Sequence, residues 1–184
     1  DGFLLSTERL KKLSLLDRKG VPETYDWNGF MLALKELKAG AEIVEVPLYS
    51  HAIYDTLADE VGYLIRPDIV VVEGINVLQN TPVSDAIAPR DMFDISIYVD
   101  AEEGHIQGWY TERLIGLWRE GKTNPESFFH QFAALSEVQA RELAHHAWHT
   151  TNAPNLHNYI LPTRQYADIV LKKNEDHTIV IVVR

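Results

Sequence analysis

The distribution of apolar and polar residues along the chain predicts helices in four places. Residues 7–16 carry leucines among charged residues, which is typical of a short surface helix. A second helix is predicted between Asp26, a suitable N-cap, and Gly40, a residue at which helices commonly end. Long helical character extends over residues 102–120, and a capped start at Ser136 predicts a last helix that reaches His149.

The segments between these helices predict strands. Residues 42–48 are rich in β-branched side chains and are interrupted at Pro47, and residues 63–65 form a brief second strand. Residues 67–74 form a continuous apolar run that is typical of a parallel strand covered on both faces. The remaining predicted strands are residues 93–99, 169–171 and 178–183. Alternating strands and helices indicate an α/β fold with a mostly parallel sheet, in which ligands bind outside the carboxyl ends of the strands.

Length and charge narrow the class of protein. A chain of 184 residues suits a single domain, residues 1–184. Because 17 basic residues face 27 acidic ones, the formal charge of −10 disfavours nucleic acid and anionic lipid as partners. The sequence has no apolar run of the roughly 20 residues needed to cross a bilayer, and it contains no cysteine. We therefore expect a cytoplasmic protein with no membrane partner.

Three groups of polar residues are candidates for chemistry. Glu73 ends the apolar run 67–74, a position that favours a role near phosphates, although an acid also ends many strands for no functional reason. Residues 49–55 combine phenols, a hydroxyl, an imidazole and a carboxylate. These groups could bind a polar ligand, or they could form a polar edge with buried tyrosines. Tyr110 and Arg113 share a helix face, where Arg113 could clamp an anion or pair with a surface acid.

The histidines raise the question of a metal site. His145 and His149 are four residues apart, as in the helical zinc motif, but His146 stands where that motif has a glutamate as general base. A helix surface rich in histidine is the favoured interpretation, so we predict no metal site from the sequence.

Several familiar catalytic motifs do not occur in the sequence. It has no Gly-x-Ser-x-Gly serine-hydrolase motif and no glycine-rich dinucleotide turn. Residues 116–123 match the letters of the Gly-x-x-x-x-Gly-Lys-Ser/Thr pattern, but they continue the predicted long helix and do not follow a strand, so they do not predict a phosphate-binding loop. A glycosidase with paired carboxylates stays open, although no spacing argues for it.

Segments spread over nearly the whole chain resemble the bacterial type I pantothenate kinases, which are P-loop kinases. The matching segments are Asp1-Gly2-Phe3, residues 20–26 (GVPETYD), 47–55 (PLYSHAIYD), 67–79 (PDIVVVEGINVLQ), 97–101 (IYVDA), Trp109-Tyr110 with Arg113, 119–121 (REG) and 158–164 (NYILPTR). They occur in family order. The resemblance implies a three-layer P-loop kinase-like fold, of which this sequence is the C-terminal part without the first strand and the phosphate-binding loop.

The resemblance also implies an activity and a set of site residues. The activity is phosphorylation of the primary hydroxyl of pantothenate by ATP with Mg²⁺, the first step of coenzyme A biosynthesis. Asp1 matches the family's catalytic aspartate, which orients or deprotonates that hydroxyl, and Arg113 would balance phosphoryl charge. The other positions implied are Tyr49, His51, Tyr54, Tyr110 and Asn152 around pantothenate, Glu73 near Mg²⁺ and the phosphates, and His177 near adenine.

Further expectations follow from the same resemblance. Coenzyme A would inhibit by feedback near His51, and the protein would form a homodimer through the long helix. Leu114 and Leu117 stand where some members have phenylalanines against the pantothenate tail. Because phosphoryl transfer depends on positioning and charge stabilisation, we expect negligible kinase activity from these residues alone.

Two other functions stay open at this stage. One is a different P-loop small-molecule kinase, such as a relative of uridine kinase or phosphoribulokinase, which would share the strand ending in Glu73. The other is a non-enzymatic domain that binds a ligand or a partner. Pantothenate and uridine binding by the full-length gene product distinguish the two kinases.

Overall fold

The computed structural model describes residues 1–80 and 87–183 of the chain. The helices are α1 (Thr7–Lys12), α2 (Trp27–Lys38), α3 (Glu103–Thr123), α4 (Glu137–Ala147) and α5 (Ala153–Asn155). The strands are β1 (Ile43–Ser50), β2 (Asp55–Ile65), β3 (Ile97–Asp100), β4 (Ile169–Lys173) and β5 (Ile179–Val183). Short 3₁₀ segments lie at Leu16–Arg18, Pro22–Thr24, Pro89–Met92, Phe128–Phe132 and Leu161–Tyr166, and π turns at Trp148–Asn152 and Leu156–Ile160 flank α5.

Local capping explains where the helices begin. The side chain of Asp26 accepts a hydrogen bond from the backbone N–H of Gly29 at the start of α2. Ser136 and Gln139 form a reciprocal capping box at the start of α4. These two predicted starts are confirmed. α1 ends earlier than predicted, at Lys12, because Ser14 adopts a left-handed φ of 57° that a helix does not accommodate.

The strands form two small sheets. β1 and β2 make an antiparallel hairpin whose register shifts between Pro47 and Tyr49, as expected beside a residue without a backbone N–H. The hairpin is longer than predicted, since β2 begins at Asp55. In the second sheet β4 lies between β3, which is parallel to it, and β5, which is antiparallel.

The α/β class is confirmed, but the mostly parallel sheet is not found in the described residues. Residues 67–74, predicted to be a buried parallel strand, have no strand structure, and Ile69 and Val71 are 83% and 84% exposed. The physical reason is that a strand needs a neighbouring backbone to satisfy its N–H and C=O groups. No strand in the described part of the chain pairs with this run.

Packing is divided among small clusters rather than one large core. Leu78 and Tyr98 pack with Val170 under the second sheet, while Ile115 and Trp118 of α3 pack against Ala140 of α4. A third cluster joins Trp148, Ala153 and Leu156 and contacts Tyr110. α3 therefore contributes side chains to both the second and the third cluster. None of the helices that the structure describes is long and apolar enough to cross a membrane.

Candidate active site

A tight turn between β1 and β2 gathers the polar side chains of residues 49–55. Ser50 pairs with Asp55 across the hairpin, and Tyr54 adopts an uncommon left-handed φ of 58°. Asp55 fixes this turn, because its Oδ1 accepts hydrogen bonds from the backbone N–H groups of Thr56 at 2.8 Å and Thr7 at 2.9 Å. The predicted site residues on this hairpin are Tyr49, His51 and Tyr54.

Asp1 lies beside this turn. Its Oδ2 is 3.6 Å from Nε2 of His51, and both side chains are partly open to solvent. The segment after Asp1 is tied down, since Leu4 donates to the Asp1 carbonyl at 3.0 Å and Asp26 donates to the Phe3 carbonyl at 2.7 Å. The carboxylate and the imidazole therefore face each other at the surface.

Aromatic rings line the adjacent surface. The rings of Tyr49 and His51 meet edge to face with centroids 5.1 Å apart, and Tyr54 stacks on Phe128 at 4.9 Å. Phe129 meets Tyr54 edge to face at 6.1 Å. Burial raises the pKa of both phenols, Tyr49 and Tyr54, above the ordinary value. Both hydroxyls are therefore neutral hydrogen-bonding groups at physiological pH.

Lys19 places a cation between the two tyrosines. Its Nζ donates to the Tyr54 carbonyl at 2.6 Å and to the Tyr49 hydroxyl at 3.2 Å. It also lies over the ring of Tyr54, 4.5 Å from the centroid. Burial lowers the pKa of Lys19, and the negative charge of Asp55 opposes this shift. Burial raises the pKa of Asp55, but hydrogen bonds from Thr7 and Thr56 and the charge of Lys19 bring it below the ordinary value.

α3 brings Tyr110 and Arg113 to the same region. Burial raises the pKa of Tyr54, Tyr110 adds to this rise, and the positive charge of Arg113 opposes it, so both α3 residues lie within electrostatic range of the turn. The side chains of Tyr110 and Asn152 are hydrogen-bonded. Asn152 is the last residue of the π turn that follows α4, and its Nδ2 also donates to the Ala147 carbonyl at 3.3 Å.

Glu73 lies at the border of this region. Its side chain is exposed. Burial raises the pKa of Tyr25, and the nearby Glu73 and Tyr54 add to this rise. Tyr25 is hydrogen-bonded to Asn76, and Asn76 Nδ2 donates to the Gly20 carbonyl at 2.8 Å. Glu73 is thus connected to the hairpin tyrosines only through Tyr25 among the contacts that the structure describes.

His177 lies elsewhere on the surface. Its ring stacks on Trp109 with centroids 4.9 Å apart, and the Lys173 ammonium covers the same indole at 4.6 Å. Trp109 precedes Tyr110 on α3, but neighbouring helical residues point about 100° apart. In the described residues, no contact of His177 links it to the cluster around the hairpin.

An apolar cavity of about 190 Å³ adjoins the aromatic surface. Its lining residues are Leu114, Trp118, Phe129, Phe132, Leu135, Ala140, Leu143 and Ala147. Phe129 is shared between this cavity and the contact with Tyr54. Leu114 lines this cavity, whereas Leu117 is not among its lining residues. An apolar part of a ligand would fit here beside polar groups on the hairpin.

The described residues contain no group of three or more His, Asp or Glu side chains placed to hold a metal ion. They do supply separate carboxylates, Glu73 and Asp1. Mg²⁺ in phosphate-transfer sites is commonly held by one or two carboxylates together with phosphates and water. Glu73 therefore fits such an ion as a single ligand, with the phosphates supplying the others.

The structure brings most of the sequence-predicted residues together. One connected series of contacts and electrostatic interactions joins seven of them: Asp1, His51, Tyr49, Tyr54, Tyr110, Arg113 and Asn152. Glu73 lies at the border of this group, and His177 lies apart from it. Sequence reasoning missed Lys19, which directly precedes the segment GVPETYD, and Phe128, which follows α3. No motif or periodic pattern in the sequence marks either residue. Each contacts Tyr54 from a segment far away in the chain, and such contacts appear only in the folded structure.

Comparison with known proteins finds curated relatives over nearly the whole of this chain. No family model matches the chain. It is 47% identical over 181 residues to a pantothenate kinase of Sinorhizobium medicae (strain WSM419), an alignment that covers 96% of this chain and 55% of that protein. A pantothenate kinase of Sorangium cellulosum (strain So ce56) is 45% identical over 179 residues, with 97% and 58% covered. The chain is homologous to part of the pantothenate kinases.

This homology confirms the family resemblance drawn from the sequence segments. The chain spans about half the length of the curated relatives that it matches. A solved structure supports the fold class: the crystal structure of a putative fructose transport system kinase from Silicibacter sp. TM1040 superposes with a TM-score of 0.54 at 24% identity. That superposition covers 90% of this chain and 66% of the other.

Proposed function

We propose that this chain supplies the pantothenate-binding part of a pantothenate kinase. In the complete protein it would hold pantothenate while its primary hydroxyl is phosphorylated by ATP to 4′-phosphopantothenate, the first step of coenzyme A biosynthesis. The observation that carries the proposal is the convergence of Asp1, His51 and the hairpin tyrosines with Arg113 of α3. The homology to pantothenate kinases supports the substrate.

Asp1 is the proposed general base of the site. Its carboxylate would accept the proton of the pantothenate hydroxyl as the hydroxyl oxygen forms a bond to the γ-phosphorus of ATP and the bond to ADP breaks. His51, 3.6 Å away, would hold this carboxylate in place. Catalysis here is first a matter of position, because a transferred phosphoryl group needs little covalent assistance.

The other side chains bind and stabilise charge. Arg113 would meet the charge that develops on the transferred phosphoryl group through its planar guanidinium. The neutral phenols of Tyr49, Tyr54 and Tyr110 and the amide of Asn152 would bind the hydroxyl, amide and carboxylate groups of pantothenate. The apolar cavity beside Phe129 would take an apolar portion of the ligand.

ATP and Mg²⁺ are proposed as co-substrate and cofactor on the strength of homology to kinases. Glu73 is the described residue best suited to hold Mg²⁺, which would supply positive charge to neutralise the phosphates. We also propose, from the resemblance to the same kinases, a three-layer P-loop architecture and a role of His177 near adenine. Residues 116–123 match the letters of the Gly-x-x-x-x-Gly-Lys-Ser/Thr pattern, but they lie within α3 and not in a loop between a strand and a helix. We therefore propose that these 184 residues alone have negligible kinase activity.

Calorimetry on protein expressed from the complete gene tests the substrate. Pantothenate should bind, and Asn152→Ala should weaken its binding at least tenfold because the amide is hydrogen-bonded to Tyr110 within the site. Asn158→Ala, on the exposed surface, is the matched control and should bind as wild type. Tighter binding of uridine than of pantothenate would favour another P-loop kinase, and binding of neither would favour a non-enzymatic domain.

Three further properties belong to the same proposal. Coenzyme A would compete at the site near His51, the protein would be a homodimer joined through α3, and it would act in the cytoplasm. Competition between coenzyme A and pantothenate in the same calorimeter, and the mass in solution by light scattering, test the first two. A monomer at micromolar concentration would exclude the dimer.

A further inference from the structure

Two histidines at the end of α4 direct their rings at each other. His145 lies in the last turn of α4, and His149 lies in the π turn Trp148–Asn152 that continues it. Both are exposed, their ring centroids are 4.3 Å apart, and the two Nε2 atoms are 3.0 Å apart. A surface that was merely rich in histidine would not need to turn two ring nitrogens toward one point.

The distance between the nitrogens suits a shared metal ion. Imidazole nitrogens bind such ions at about 2.0–2.1 Å. Two of them on one ion lie about 3 Å apart at the near-90° angle of tetragonal Cu²⁺ or Ni²⁺, and about 3.3 Å apart at the tetrahedral angle of Zn²⁺. The rings already present this separation at the surface. Ion binding would therefore need little movement of either side chain.

The chemistry of the two ligands selects the kind of ion. Imidazole suits copper, nickel and zinc, whereas Mg²⁺ and Ca²⁺ prefer oxygen ligands. Because the described residues hold no cluster of three or more ligating side chains, water would complete the coordination. We propose that His145 and His149 together chelate one divalent transition-metal ion of the copper, nickel or zinc type at the surface of the chain.

Such an ion would join two segments with different backbone geometry. It would connect the last turn of α4 to the π turn, which also carries Asn152 of the candidate active site. Within this junction Thr150 donates to the His146 carbonyl at 2.9 Å and Asn152 donates to the Ala147 carbonyl at 3.3 Å. A bound ion would hold these bonds closed, and amide hydrogen exchange over residues 148–152 would slow.

Calorimetric titration of the full chain with Cu²⁺, Ni²⁺, Zn²⁺ and Mg²⁺ tests the site. One ion should bind per chain, Cu²⁺ most tightly, and Mg²⁺ should not bind there. His145→Ala and His149→Ala should each weaken Zn²⁺ binding at least tenfold, whereas the matched variant His146→Ala should bind as wild type. Equal Zn²⁺ binding by all three variants, or the absence of binding at millimolar Zn²⁺, would overturn the proposal.

A second measurement needs no variant, so it decides the matter even if a substitution unfolds the chain. In long-range ¹H–¹⁵N spectra of the wild-type imidazoles, stoichiometric Zn²⁺ should shift the signals of His145 and His149 and leave those of His146 and His157 in place. Unchanged His145 and His149 signals would mean that the two rings share only an N–H···N hydrogen bond.

Discussion

Lys19 donates a hydrogen bond of 2.6 Å to the backbone carbonyl of Tyr54. This bond ties the loop before Pro22 to the turn of the β1–β2 hairpin, and the same ammonium reaches the Tyr49 hydroxyl. Burial lowers the pKa of Lys19, so keeping the charge in this position has an energetic cost. Because the ammonium bonds both hairpin tyrosines, we expect Lys19 to hold the turn in place beside the candidate site.

Replacing Lys19 with methionine should separate its role in binding from its role in folding. Lys19→Met keeps the aliphatic stem and removes a partly desolvated charge, so the free energy of unfolding should change by less than about 1 kcal/mol. The turn loses the hydrogen bonds that Lys19 donates to Tyr54 and Tyr49, so KM for pantothenate should rise about tenfold in protein expressed from the complete gene. Lys12→Met, which removes a surface contact with Glu8, is the control. An equal KM in both variants would contradict this role.

Arg113 should be sensitive even to replacement by lysine. A lysine keeps the charge but loses the planar fork that can bind two phosphoryl oxygens, so kcat should fall about 100-fold while KM changes little. Arg119→Lys, further along α3 and paired with Glu137 at 3.1 Å, should leave kcat near wild type. Steady-state kinetics of both variants check this. A fall in kcat shared by both would point to α3 as a whole.

Sequence alone predicts the parts of the fold that local signals specify. The caps at Asp26 and Ser136 are short-range hydrogen bonds, so the helix starts they mark are visible in the sequence. The apolar run 67–74 shows the limit of this reasoning. Its composition favours a strand, but a strand forms only where another backbone lies alongside, and no local signal reports that.

In the candidate site, too, only the contacts between residues close in sequence could be predicted. Tyr49, His51 and Tyr54 lie on one hairpin, so their proximity follows from the spacing of residues 49–55. The contact of Lys19 with Tyr54 joins residues 35 apart in the chain, and only the folded structure shows it. The role of His177 near adenine rests on resemblance alone and stays a prediction; in the structure its ring stacks on Trp109.

Gly121 should not tolerate a side chain. A Cβ at this position of α3 would lie 2.6 Å from the carbonyl carbon and 2.8 Å from the carbonyl oxygen of Phe129. Gly121→Ala should therefore lower the free energy of unfolding by about 1–3 kcal/mol and displace Phe129 from Tyr54. A Cβ at Gly116, on the same helix, would meet no atom within 4 Å outside the adjoining backbone of that helix, so Gly116→Ala should instead raise the free energy of unfolding by about 0.5–1 kcal/mol. Urea unfolding of both variants measures the contrast, and destabilisation by both would contradict it.

The raised pKa of Tyr49 predicts how stability depends on pH in the alkaline range. The unfolded chain releases this proton near pH 10, whereas the folded chain retains it because burial opposes the charged phenolate. The folded state then binds more protons than the unfolded state, so its stability is lost as pH rises above about 10. Because the phenol is partly exposed, the contribution should not exceed about 1 kcal/mol per pH unit.

Tyr49→Phe isolates this contribution. The variant also loses the hydrogen bond from Lys19, so it should be less stable than wild type at pH 8. Its stability should nevertheless fall less steeply above pH 10, since it has no phenol to ionise at this position. Burial also raises the pKa of Tyr25, Tyr54, Tyr98 and Tyr110, and these phenols keep the remaining slope. Urea unfolding at intervals between pH 8 and pH 11 gives both slopes, and identical slopes would show that the burial of Tyr49 does not control its proton.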